Sequence, residues 1–176
     1  MRKLAYASLV LIILFSCKEI TFKEPQPRGK KALKEIPDAL VGSYLLTDEK
    51  DGSTDTLIVS SKGYFVASDK KGDQLGDSLV LKKFKGYYFI SINENPEWLL
   101  RVIKQEKNGD LVYMTMDEQG GASFKDLLTK LSKEIKIDSV EINGEKLYQI
   151  DPSPKQLTKL IEKGYFRKTL RMKRLK

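Results

Sequence analysis

The sequence predicts a mainly β fold of the α+β class: an antiparallel meander rolled into a small barrel or roll, with two amphipathic helices in the C-terminal third. Three observations predict it. Short runs rich in Tyr, Phe, Val, Ile, Leu and Thr follow one another from Gly42 to Met116, as a half-buried pleated surface requires. The breaks between them are short and carry turn residues, which suits antiparallel neighbours, since parallel strands need crossovers of about a dozen residues or more. In the last third the apolar spacing switches to that of a helix.

The strand runs are Gly42–Thr47, Thr56–Ser60, Gly63–Ser68, Ser78–Phe84, Gly86–Ile92, Trp98–Gln105 and Leu111–Met116. Asp51-Gly52, Lys71-Gly72-Asp73, Asn93–Pro96 and Asn108-Gly109 separate them. Asn-Gly marks a hairpin because both residues tolerate positive φ. Residues 55–65 (DTLIVSSKGYF) and 77–88 (DSLVLKKFKGYY) form a weak internal repeat. It reads as one hairpin used twice, turning at Lys-Gly. The run Leu111–Met116 is apolar on both sides, with Leu111 and Tyr113 on one and Val112, Met114 and Met116 on the other.

Phe124, Leu127, Leu128, Leu131 and Ile135 lie on one helical stripe, with Ser123 placed to cap it. Ser153-Pro154-Lys155-Gln156 is a capping box with proline at the first helical position, and Gly164 closes the second helix. Val140–Ile142 and Lys146–Ile150 flank Asn143-Gly144 as a further hairpin, and Tyr165–Lys176 reads as a last strand. In that strand Phe166, Leu170 and Met172 are expected on one side and Arg167, Arg171 and Lys173 on the other. By strand number and spacing, not by a shared motif, the domain resembles lipocalin-like barrels. The Gly-x-Trp opening common among them is only faintly echoed by Gly42-Ser43-Tyr44.

The amino end carries an address. Arg2 and Lys3 precede an apolar run of twelve residues, Leu4–Phe15, interrupted only by Ser8. A transmembrane helix needs about 20 such residues, so the pattern is that of a secretory signal. Leu14-Phe15-Ser16-Cys17 resembles the lipobox of bacterial lipoproteins, with Phe15 bulkier than usual at its position. The resemblance implies cleavage before Cys17, a diacylglyceryl thioether on its sulfur and a firm membrane anchor. Lys18-Glu19 weakly resembles the start of some surface-exported lipoproteins of the Bacteroidota, which usually carry further acidic residues, where this chain has Ile20. The expected layout is a signal peptide over 1–16, a lipidated tether over 17–37 and one β-rich domain over 38–176. The tether reading rests on three prolines, a glycine and nine charged residues in 18–37; a short helix over Lys30–Ile36 is the alternative. The expected location is the cell envelope at the outer membrane, with the periplasmic or the surface face left open.

Catalytic chemistry finds little support. The chain has no histidine and one cysteine, which excludes a Ser-His-Asp triad, a Cys-His pair, a histidine-ligated metal and an intrachain disulfide. Asp48, Glu49, Asp51 and Asp55 cluster, but a calcium loop counted from Asp48 meets Lys50 at its third position and Val59 at its twelfth. No nucleophile elbow or phosphate loop is present. The expectation is therefore a non-enzyme with no metal and no cofactor.

The chain carries 32 basic and 24 acidic residues. Arg167, Lys168, Arg171, Lys173, Arg174 and Lys176 put six cations into the last ten positions. An anchored, exported protein seldom meets nucleic acid, so anionic lipid or an acidic partner is the expected contact for that tail; an exposed edge strand is the alternative. The function expected is a lipid-anchored, non-catalytic binding or accessory protein of the envelope. Its partners would be the membrane through the anchor and an envelope protein. The alternative is a lipocalin-like carrier of a small apolar ligand.

Overall fold

The computed structural model describes residues 20–47, 52–116, 124–142 and 144–175. Cys17, Asp48, Glu49, Asp51, Ser123 and Lys176, singled out above, lie outside them. Twelve strands and two helices follow in the order β1 (Ile20–Phe22), β2 (Gly42–Thr47), β3 (Thr54–Val59), β4 (Gly63–Val66), β5 (Gly72–Gln74), β6 (Leu79–Phe84), β7 (Tyr87–Asn93), β8 (Trp98–Gln105), β9 (Leu111–Thr115), α1 (Phe124–Leu131), β10 (Asp138–Ile142), β11 (Glu145–Ile150), α2 (Pro154–Glu162) and β12 (Arg167–Arg174). The fold is mainly β with two helices and one large, almost wholly antiparallel sheet.

The sheet forks at β8. One edge of β8 pairs with β7 over Trp98–Lys104. The other edge is shared: β9 pairs with Val102–Gln105, and β1 meets the opposite end through Phe22 and Trp98. From β1 the path continues by parallel pairing to β11 and then β10. From β9 it runs through β12, β2, β3 and β4 to β5. Among the described residues the strand ladders do not close β5 onto β6, so the sheet is open.

Local chemistry explains the hairpins. Lys85 and Gly86 both have positive φ, 48° and 80°, and make a two-residue turn that matches the strand twist. The other Lys-Gly does a different job. Gly63 sits inside β4, where a Cβ would lie 2.2 Å from the Asp73 carbonyl oxygen of β5. The repeat therefore gives two hairpins whose glycines have separate reasons. At α2 the capping box forms: Ser153 Oγ accepts from Gln156 N at 3.3 Å, and Gln156 Oε1 accepts from Ser153 N at 3.0 Å.

Two apolar cores lie on opposite faces of the sheet. One is covered by the helices and joins Leu131, Leu157 and Leu160 to Phe22, Phe89, Val102, Val112 and Ile150. The other gathers Tyr44, Val59, Leu81, Ile103, Leu111 and Met172. β9 serves both, as its two-sided apolar pattern predicts: Val112, Met114 and Met116 face the helices, while Leu111 and Tyr113 face away.

Residues 20–37 of the segment expected as a tether are part of the folded body. Ile20 and Phe22 are each 1 % exposed, and burying such side chains contributes roughly 1.5–3 kcal/mol apiece. Thr21 Oγ1 donates to Glu97 Oε2 at 2.8 Å. Gln26 N donates to Ser91 Oγ at 2.9 Å. The ammonium of Lys82 donates to the carbonyls of Pro25 at 2.6 Å and Pro27 at 3.2 Å. Further on, Leu33 N donates to Leu81 O and Ile36 N to Ser61 O, both at 2.8 Å. Residues 32–36 thus span from edge strand β6 to the β3–β4 turn, and no helix forms over Lys30–Ile36. The prolines that suggest a spacer instead allow an extended path, along which Ile20, Phe22, Leu33 and Ile36 each reach a patch of core.

Candidate ligand-binding site

The core on the side away from the helices is incompletely filled. It leaves a half-open cavity of about 240 Å³. The strands reach it in turn because alternate residues face one side. Ile90 of β7 stands beside Arg101 of β8, and Ile103 beside Tyr113 of β9. Tyr113 is paired in turn with Leu170 of β12. Leu46, Leu57 and Tyr64 supply the facing wall from β2, β3 and β4, and Ile36 and Leu40 close it from the loop before β2. Leu46, Leu57, Ile90, Tyr113 and Leu170 are only half-buried. They are apolar groups lining a space that the described residues do not fill.

Polar groups are few. Tyr64 Oη donates to Asp73 Oδ2 at 3.0 Å. Burial, and then this carboxylate, push the Tyr64 hydroxyl far above the usual phenol range; Tyr113 adds to the rise and the Arg101 guanidinium opposes it. Arg101 is the one charged lining side chain among the described residues. Its aliphatic stem can cover apolar surface while its head reaches a polar group, and its Nη1 donates to Leu100 O at 3.3 Å.

The basic tail is not the edge strand considered from sequence. β12 lies inside the sheet, between β9 and β2. Arg171 pairs with Glu106, and with Asp110 at 3.3 Å. Arg174 turns inward: Nη1 donates to Ala39 O at 2.8 Å and to Tyr44 Oη at 3.3 Å, and Nη2 donates to Val41 O at 2.7 Å. Its guanidinium lies over the Tyr44 ring. Arg167, Lys168 and Lys173 are exposed. The five described cations thus do not form one patch, since Arg171 is paired with carboxylates and Arg174 is turned onto the loop before β2. The expected facing also changes. A bulge between Lys168 and Leu170 inserts one residue and reverses the alternation. Phe166 therefore packs with the helix-side core, while Leu170 and Met172 face the pocket.

Asp55, from the acidic cluster, is used at a turn. It accepts from Thr56 N at 2.7 Å, from Ser68 N at 3.3 Å and from the Ser68 hydroxyl. The Ser68 hydrogen bond, with help from Thr56, holds its carboxyl below the usual range. Among the described residues no three His, Cys, Asp or Glu side chains gather as a metal would need. No helix of the described residues is long and apolar enough to cross a membrane.

Sequence reasoning missed most of the pocket wall. Leu46, Leu57, Tyr64 and Arg101 carry no local sign of which sheet face turns inward. Only the doubly apolar β9 gave one. Comparison with protein families, curated proteins and solved structures finds no match for this chain.

Proposed function

We propose that this chain is a lipid-anchored, non-catalytic binding protein of the bacterial envelope, fixed through Cys17, whose β domain holds a small apolar ligand. The anchor rests on the lipobox-like Leu14-Phe15-Ser16-Cys17. The binding activity rests on one observation: a half-open cavity of about 240 Å³ walled almost wholly by Leu, Ile, Val, Met and Tyr. An apolar cavity of roughly 150 Å³ already takes up benzene. The shape supports a roll, in which the open sheet curves around this space and residues 32–36 span its gap. Carriers of the lipocalin kind hold a small ligand inside a closed barrel; here the ladders leave the sheet open.

The test uses the chain from residue 18 onward, so that no detergent competes. An apolar naphthylamine probe should brighten and shift to the blue on binding. Leu57→Trp should fill the cavity and weaken binding at least about tenfold, which corresponds to ~1.4 kcal/mol. Its urea midpoint should stay near that of the parent, because the added volume enters empty space. A probe that stays dark with the parent chain, or binds the variant equally well, would overturn the binding reading.

A further inference from the structure

We infer that the anchored domain lies directly against the bilayer, with the side formed by β1, the β10–β11 hairpin and the first turn of α1 touching the lipid headgroups. This inference rests on lipidation of Cys17 and adds where the domain then sits.

Ile20, in β1, is 1 % exposed and fixed in the fold, and only Lys18 and Glu19 stand between it and Cys17 in the sequence. Three Cα steps span at most about 11 Å. The headgroup layer on each side of the hydrocarbon core is itself about 5–8 Å thick. A glyceryl thioether sits at the inner boundary of that layer, so β1 lies within a few ångströms of the headgroups whatever path the two intervening residues take. No slack remains downstream. Residues 20–36 are held by the ladder to β11, by Lys82 on the carbonyls of Pro25 and Pro27, and by the Lys23–Asp138 and Arg28–Asp151 pairs at 3.0 and 2.7 Å.

The neighbours follow from register. β1 runs parallel to β11 with Ile20 level with Tyr148. Residues 145–147 therefore lie beyond the amino-terminal end of β1. Lys146 is exposed there, and its ammonium stands 5.6 Å from the centre of the half-buried Tyr148 ring. Phe124 packs edge-on against the same ring, which brings exposed Lys125 of α1 to this side. A tyrosine flanked by lysines suits a headgroup layer. The contact is imposed by the short anchor and does not require the cations of β12.

The test exploits the sole native cysteine. Once Cys17 carries lipid, a cysteine introduced by Lys146→Cys, or by Lys71→Cys at the other end of the strand path, is the only free thiol. The processed full chain is labelled with an environment-sensitive fluorophore and reconstituted into vesicles of phosphatidylethanolamine and phosphatidylglycerol containing brominated lipid. Quenching should be several-fold stronger at position 146 than at 71. Inserting about 20 Gly/Ser residues after Glu19, a spacer of roughly 22–27 Å, should abolish the difference while the lipid stays attached. Equal, weak quenching at both positions in protein whose mass includes the lipid would overturn this inference and leave the anchor standing. A mass showing Cys17 unmodified would overturn the anchor and the inference together.

Discussion

The ammonium of Lys82 donates to the carbonyl oxygen of Pro25 at 2.6 Å, across 57 positions of sequence. Lys82 is 7 % exposed, and burial lowers its pKa from the usual lysine value. Its second acceptor is the carbonyl of Pro27. The pair explains how a proline-rich stretch becomes part of the fold. Proline offers no N–H to a ladder, so at Pro25 and Pro27 the segment is held through its carbonyls, to both of which a buried cation donates. Lys82→Met should deprive the Pro25 carbonyl of its donor, while the Pro27 carbonyl keeps Lys30 N at 3.2 Å, and cost about 1–3 kcal/mol. Urea unfolding measures the loss, and faster amide exchange at Leu33 and Ile36 would show that the segment has lifted.

Arg174 closes the other end of the chain onto the same region. Its forked donors hold the carbonyls of Ala39 and Val41 while its face covers Tyr44. Lysine cannot reproduce two divergent donors on a planar group. Arg174→Lys should therefore destabilise by about 1–2 kcal/mol. The loss should appear as a lower urea midpoint with an unchanged slope. A variant as stable as the parent would mean that these contacts contribute nothing net.

Much of the fold was legible in the sequence because turn chemistry and strand alternation are local. β8 spans Trp98–Gln105, the residues its apolar pattern marks, and the capping box at Ser153 starts α2 where expected. β1 was missed because three residues carry too little periodicity. Its parallel partner, β11, is more than a hundred positions away. β5, Gly72–Gln74, is wholly exposed; it becomes a strand only because β4 offers an open edge. In β12 the composition was read correctly and the facing was not, since one extra residue at a bulge reverses every side chain after it. The pocket was legible only on the β9 side. Its opposite wall comes from β2–β4, whose inward face is decided by how the sheet curves.

Asp110 gives the fold an acid-sensitive joint. Its carboxylate accepts from the Arg174 backbone N–H at 3.0 Å and from Asn108 Nδ2 at 2.9 Å, beside the Arg171 guanidinium. The Arg174 N–H foremost, then Asn108 and Arg171, hold its pKa below the usual value. A carboxyl whose folded pKa is depressed binds its proton more readily in the unfolded chain. Its contribution is therefore complete above the unfolded pKa, about 3.9, and is lost as pH falls through the lower, folded value. Asp110→Asn should lower the urea midpoint at neutral pH, and the gap from the parent should narrow below about pH 4. A gap constant from pH 7 down to pH 2.5 would refute this assignment.

Gly72 and Gly63 permit β4 and β5 to approach closely. A Cβ on Gly72 would fall 1.9 Å from the Tyr64 carbonyl oxygen, and one on Gly63 would fall 2.8 Å from Gln74 Cα. Both obstacles are largely backbone, so the strands must part for either to be accommodated. β5 is exposed along its length and buries no core, which makes its loss cheap for the rest of the sheet. Gly72→Ala should therefore act locally. The amide of Leu75, which donates to Lys62 O at 2.8 Å, and that of Val66, which donates to Lys71 O at 2.8 Å, should lose protection from hydrogen exchange. Global stability should fall by no more than about 1 kcal/mol, within the range of most single substitutions. Tyr64 donates to Asp73 of β5 and lines the pocket, so the same variant should also loosen that wall and weaken probe binding. Unchanged exchange at Leu75 and Val66 would show that the ribbon tolerates the added methyl group.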